Sequence, residues 1–172
     1  MDCIETIMTR RSIRKFKPDP VDEQDLTTIL EAGRWAPSAG NLQPCYFVVV
    51  RDPAQRKQLK AAAFDQESLD TAPAVIVVCA DPNRCEKYGE KGMTHFLLMD
   101  GANATQNILL AARALGYGSC WMGGFSEKKV RELLGLPDHF RVISVVPIGK
   151  ADEDPEPRER RPLSEIVKWE RW

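Results

Sequence analysis

The spacing of apolar positions changes along the chain, and each change marks an element. Ile4, Ile7 and Met8 fall on one side of a helix over 2–9. Asp22 caps a second helix, with Leu26, Ile29, Leu30 and Gly33 on one face. Tyr46 to Val50 is aromatic and β-branched, which predicts a strand, and helical spacing returns over 53–63. Ala74-Val75-Ile76-Val77-Val78-Cys79 is apolar without a break, as a central strand buried on both faces requires. The polar, glycine-bearing stretch 83–92 reads as a mobile loop. Residues 94–115 predict one long helix, apolar around most of its circumference, with small residues at Gly101, Ala102 and Ala104. A helix without a clear polar face belongs in a core or an oligomer interface, and these small residues would let two copies approach. A short strand over 119–122 follows, then a helix capped by Ser126 and ended by Gly135, and a last strand over 141–148. Residues 152–161 form a charged, proline-bearing loop before a short terminal segment. Helices and strands mix without strict alternation, so the fold class is α+β.

Composition narrows the function classes. A chain of 172 residues forms one domain, 1–172, and folding buries roughly 70% of the unfolded surface, enough for a core without staples. The net charge of −1 provides no global field toward nucleic acid or an anionic membrane. Five cysteines without a C-x-x-C pair, and only His95 and His139, argue against a disulfide framework or a metal centre and for a cytoplasmic setting. Asp2 and Glu5 come too early for a secretory signal. The apolar region 96–115 is too polar to span a bilayer, being interrupted by Asp100, Asn103, Gln106, Asn107 and Arg113.

Local clusters carry the candidate chemistry. Arg10-Arg11-Ser12-Ile13-Arg14 could grip a phosphate through bidentate guanidinium bonds, or could be a solvated basic helix end. Arg158-Glu159-Arg160-Arg161 offers the same alternatives of anion site or charged tail. Pro37-Ser38-Ala39-Gly40-Asn41-Leu42-Gln43-Pro44 could bring backbone amides close to a flat polar ligand, or could be a plain turn. Gly116-Tyr117-Gly118 is not a dinucleotide fingerprint, because Trp121 stands where the third glycine belongs and a helix, not a strand, precedes it. Cys120 is either a buried small hydrophobe or a reactive thiol, and His95, Phe64 and Tyr88 are candidates for a substrate wall.

In chain order, the motifs Arg10-Arg11-Ser12-Ile13-Arg14, Ala36-Pro37-Ser38 with Asn41, Gln43 and Pro44, Ala72-Pro73, Gly116 to Phe125, and Arg160-Arg161-Pro162-Leu163 resemble the nitroreductase family of FMN proteins. The resemblance runs from about Cys3 to Val167. It implies a mostly antiparallel central sheet flanked by helices and a homodimer with a long interface helix. The segment 151–172 would contact cofactor and partner subunit. Arg10, Arg11, Ser12 and Arg14 would hold the phosphate, ribityl chain and pyrimidine side of non-covalent FMN, and Arg158 and Arg160 would return to the phosphate. Pro37, Ser38, Ala39 and Asn41 would line the flavin, the first three from the other subunit, and the backbone of Gly123 and Gly124 would approach the ring. Where the family often has an asparagine this chain has Asp65-Gln66, which makes Gln66 the expected amide contact.

The implied activity passes reducing equivalents from NAD(P)H to a small electrophilic acceptor, such as a nitroaromatic or quinone, by a ping-pong mechanism. The flavin carries the chemistry, so no catalytic side chain is needed, and Arg14 would support developing negative charge. The alternatives are a specialised member (reductive dehalogenase, enoate-type reductase or flavin-consuming enzyme) and a flavin-binding sensor or carrier without turnover.

Overall fold

The computed structural model describes residues 2–172; Met1, the first residue of the expected single domain, lies outside the described residues. The helices are α1 (Cys3–Thr9), α2 (Glu23–Arg34), α3 (Pro53–Ala62), α4 (Ser68–Thr71), α5 (Gly89–Lys91), α6 (Leu97–Ala114), α7 (Glu127–Leu134) and α8 (Leu163–Ile166). The strands are β1 (Cys45–Val50), β2 (Ala74–Ala80), β3 (Gly118–Ser119) and β4 (Arg141–Gly149). They form one antiparallel sheet in the order β1-β2-β4-β3.

The caps expected at Asp22 and Ser126 form, and Asp2 and Asp52 cap two further helices in the same way. Asp2, Asp22, Asp52 and Ser126 each accept backbone N–H groups from the first turn of α1, α2, α3 and α7. Gly135 ends α7 in the left-handed region, at φ 63°.

β2 explains why its sequence lacks alternation. Ala74, Ile76 and Val78 pack with Ile29 of α2 and Ile108 and Ala112 of α6. Val75, Val77 and Cys79 pack on the opposite face with Leu59 of α3, Leu69 of α4 and Val130 of α7. Both sheet faces are therefore covered by helices, and every β2 residue is buried.

Three local expectations are corrected. Residues 82–88 form a 3-10 turn that runs into α5 and a π-turn over 92–96, where the polar composition predicts a loop. Cys85 anchors this segment, fully buried against Ala80 and Leu97. The strand expected at 119–122 is two residues, 118–119, and Met122 makes only an isolated bridge to Val145. Two of the three small residues of α6, Gly101 and Ala104, serve this chain's own core, while Ala102 is half-buried. A Cβ on Gly101 would lie 2.6 Å from Ile143 of β4, and Ala104 is buried. Among the described residues, no helix is long and apolar enough to cross a membrane.

Candidate functional site

The segment after α1 runs along the edge of the sheet. Ser12 pairs with Ser119 of β3, and Ile13 N–H donates to the Ser119 carbonyl at 3.0 Å. Phe16 pairs with Ala151, with Lys17 N–H donating to the Lys150 carbonyl and Asp152 N–H to the Lys15 carbonyl, both at 2.9 Å. The Glu153 carboxylate accepts from the backbone N–H groups of Arg14 and Lys15. These bonds hold the N-terminal basic run against the start of the C-terminal segment. Sequence separation hides this neighbourhood, since Glu153 lies 139 positions after Arg14.

Arg10, Arg11, Ser12, Arg14, Arg158 and Arg160 consequently line one cleft of about 210 Å³, with Pro155 and Glu156. Five guanidinium groups share this small space, yet among the described residues none of them has a carboxylate within ion-pair distance. Burial and the repulsion of Arg160 and Arg11 lower the pKa of Arg10, against the opposing influence of Cys120. Such a concentration of positive charge, with Arg10 and Arg11 half-buried and Arg14, Arg158 and Arg160 exposed, is one that a phosphate would neutralise. An adjoining cleft of about 340 Å³ shares Arg10 and Arg11 and is lined by Ser119. The Ser119 Oγ is the one buried side-chain oxygen without a hydrogen-bond partner among the described residues.

Cys120 follows Ser119 directly. It is buried, and burial pushes its thiol pKa up despite Arg14, Ser12 and Arg10 close by. It is a protonated, enclosed thiol rather than an activated nucleophile.

Further along the same strand exit, Gln66 donates its side-chain amide to the Gly124 carbonyl at 3.0 Å. A Cβ on Gly123 would meet nothing within 4 Å, and one on Gly124 would touch only Gln66 and Phe64, at 3.7 and 3.9 Å. Neither glycine has a positive φ, so conformation does not demand glycine here. The missing side chains leave backbone that a flat ring can approach. The amide nitrogen of Gln66 is thus committed to holding this backbone. Phe64, with a φ of 54° and 70% exposed, stands beside it.

The third expected group lies elsewhere in the chain. Pro37 and Ser38 line a separate cleft of about 250 Å³ with Arg34, Cys45, Tyr46, Arg84 and Asp100, and no residue is common to this cleft and the arginine cleft. Gly40, Asn41 and Gln43 all adopt left-handed backbone, at φ 55°, 55° and 50°. That conformation costs about 1–2 kcal/mol for a residue with a Cβ, so other contacts must hold the loop. The Ala39 N–H donates to both oxygens of Asp100, at 3.0 and 3.2 Å. The Ser38 hydroxyl accepts from Gln43 N–H, Arg84 donates to the Leu42 carbonyl, and the Tyr88 hydroxyl occupies the space a Cβ on Gly40 would need.

One chain therefore gathers Arg10, Arg11, Ser12, Arg14, Arg158 and Arg160, joins Gln66 to Gly123-Gly124, and keeps Pro37, Ser38, Ala39 and Asn41 apart. His95 is exposed on the π-turn, 5.9 Å from the Phe96 ring. Sequence reasoning missed Glu153, Ser119 and Asp100. Only Asp100 had a visible signal, as an acid inside an otherwise apolar helix. No metal-holding cluster of His, Cys, Asp and Glu occurs among the described residues.

The model for the nitroreductase family matches residues 7–68 and 60–150. An Archaeoglobus fulgidus protein bearing the name NADH dehydrogenase/NAD(P)H nitroreductase is 44% identical, covering 86% of this chain and 84% of the relative. The structure superposes on the NADPH:FMN oxidoreductase of Vibrio harveyi, solved with NAD+, with a TM-score of 0.90 and 33% identity, covering 99% of this chain and 77% of the other. An Exiguobacterium sibiricum protein solved in complex with FMN gives a TM-score of 0.91 at 25% identity, covering 99% and 98%.

Proposed function

The chain belongs to the nitroreductase family, and on that premise we propose that it is an FMN-dependent oxidoreductase. It takes reducing equivalents from NADH or NADPH and passes them to a small electrophilic acceptor such as a nitroaromatic or quinone. The observation that carries this reading is the convergence of five arginines from both ends of the chain on one cleft in which, among the described residues, none of them forms an ion pair. A phosphate monoester fits that donor set by charge and by hydrogen-bond geometry. The open backbone of Gly123 and Gly124, on the segment that leaves β3 beside this cleft, fits a flat ring.

When bound, FMN supplies the redox chemistry, and the protein supplies binding, orientation and charge. Arg10, Arg11, Ser12, Arg158 and Arg160 would hold the phosphate end. Gln66 would keep the Gly124 carbonyl in place, leaving the glycine pair free to meet the ring. Arg14 would contribute positive charge where the ring gains electrons. No side chain in the cleft is required as a nucleophile or base.

The Pro37–Asn41 loop fits this scheme as a wall contributed by a second copy of the chain. The homodimer reading is supported by exposed apolar side chains on three elements: Ile4, Ile7 and Met8 of α1, Leu98 and Met99 of α6, and Leu163 and Ile166 of α8. Residues 158–172 are exposed throughout, as expected of a segment that packs on a partner. A cytoplasmic setting suits a chain whose five cysteines are all free thiols.

The direct test is the identity of the copurifying ligand. Heat-released cofactor should be FMN, bound without a covalent link. Release of FAD, or a colourless protein that FMN cannot reconstitute, would defeat the proposal.

A further inference from the structure

Asp100 is 5% exposed and sits near the start of α6, among Leu97, Gly101 and Ala104. Among the described residues, the only hydrogen bond to its carboxylate comes from the Ala39 N–H, shared between both oxygens. A buried carboxylate with a single backbone donor is poorly compensated, and burial raises its pKa while the Ala39 bond lowers it. The cleft it lines also contains Arg34 of α2, Cys45 of β1 and Arg84 of the turn over 82–88. Cys85, on the same turn, interacts electrostatically with Asp100 as well. Burial pushes Cys45 up to about 12 and raises Cys85, so both thiols stay neutral near neutral pH. Arg34 is occupied by Glu31, and Arg84 by the Leu42 carbonyl. Neither bonds the carboxylate.

A leucine or asparagine would fill this position with less desolvation, so the acid works against the stability of the fold. The sign follows from the raised pKa. Neutralising Asp100 favours the folded state, a contribution present at low pH and lost as the pH rises through the folded-state pKa. What the carboxylate provides in return is a charged acceptor for the amide at the centre of a left-handed loop.

We propose that Asp100 is a positioning residue for cofactor binding: by accepting the Ala39 N–H it fixes the loop that lines the flavin held by the neighbouring copy. This rests on the reading above, that the chain binds FMN as a homodimer. Asp100 touches no cofactor itself and acts through Ala39. By analogy with the hydrogen-bond partners of metal ligands, whose loss commonly costs tenfold or more in metal affinity, an effect of about tenfold is expected here.

The test uses the full chain freed of FMN, with flavin fluorescence quenching to measure FMN affinity from pH 8 down to the acid limit at which the apoprotein stays folded. Wild type, D100N and D100L are compared, and thermal unfolding of each apoprotein is recorded. At the upper end of the range D100N should bind FMN at least tenfold more weakly, while unfolding at the same or a higher temperature. On acidification the wild-type advantage should shrink toward the D100N value as Asp100 takes up its proton. Titration of the FMN phosphate is common to both proteins and cancels in their ratio. D100L should bind at least as weakly as D100N; if it fails to fold, the D100N ratio still decides. A D100N affinity within threefold of wild type at every pH overturns the positioning role. So does a loss of affinity matched by a loss of thermal stability, which marks Asp100 as merely structural. A wild type that takes up no FMN at any pH overturns the cofactor reading instead, and this role with it.

Discussion

The Gln66 side-chain amide donates to the Gly124 carbonyl at 3.0 Å, joining the turn after α3 to the segment that leaves β3. Asp65, just before it, is left-handed at φ 58°, and the Asp65 N–H closes the turn on the Lys60 carbonyl at 3.0 Å. Replacing Gln66 by leucine removes the donor while keeping most of the volume. A net hydrogen bond contributes about 0.5–1.5 kcal/mol to the fold, so the variant should lose about that much stability, and FMN affinity should fall as the Gly124 backbone loses its tether. Equilibrium FMN titration of the Gln66→Leu apoprotein checks this; an unchanged affinity would separate the glycine backbone from the cofactor.

Arg10 and Arg160 should behave oppositely toward ligand and fold. Removing one partner of a desolvated charge pair costs about 2–5 kcal/mol, or roughly 30-fold to several thousand-fold in FMN affinity. The pKa of Arg10 is lowered by burial and by like charges, so its charged form is disfavoured in the folded apoprotein. Arg10→Ala should therefore leave apoprotein stability unchanged or raised while weakening FMN binding. An affinity change below about threefold would return the cluster to a screened surface role.

Gly101 tests the packing of α6. A side chain there must displace Ile143, whose nearest atom lies 2.6 Å from the ideal Cβ position. Gly101→Val should lower unfolding stability by about 1–3 kcal/mol through overpacking. Denaturant unfolding over a range of protein concentrations measures it. A loss seen only in the subunit dissociation constant would place Gly101 between copies and not against β4.

Steady-state kinetics should give parallel lines in double-reciprocal plots, because no separate nicotinamide fingerprint exists and both substrates must use one cleft in turn. Arg14→Ala should slow reduction by NAD(P)H more than it weakens nicotinamide binding. Intersecting lines would indicate two sites.

Local signals in the sequence carried the helix caps, the buried β2 strand and the left-handed end of α7, since each depends on residues within a few positions. The α+β class followed from their order. The arginine runs were visible as two patches, but their convergence depends on the Ser12–Ser119 and Phe16–Ala151 pairings, which no local pattern announces. The 82–96 segment was misread because one buried residue, Cys85, anchors a polar run, and a single apolar position has no period. Gly101, Ala102 and Ala104 suggest a face for a second helix, yet Gly101 meets Ile143 of the chain's own sheet, a contact that helical spacing alone does not reveal. Asp100 was legible as an interruption of the apolar stretch; its partner Ala39, 61 positions away, was not.

The central claim is that the two arginine clusters hold a flavin that NAD(P)H can reduce. Anaerobic titration of the purified protein with NADH and then NADPH, followed by the yellow flavin absorbance, tests it most directly. The account predicts full bleaching at one equivalent of nicotinamide per bound FMN, and return of colour on adding a quinone or nitroaromatic. Bound FMN that stays yellow with both nucleotides would contradict it.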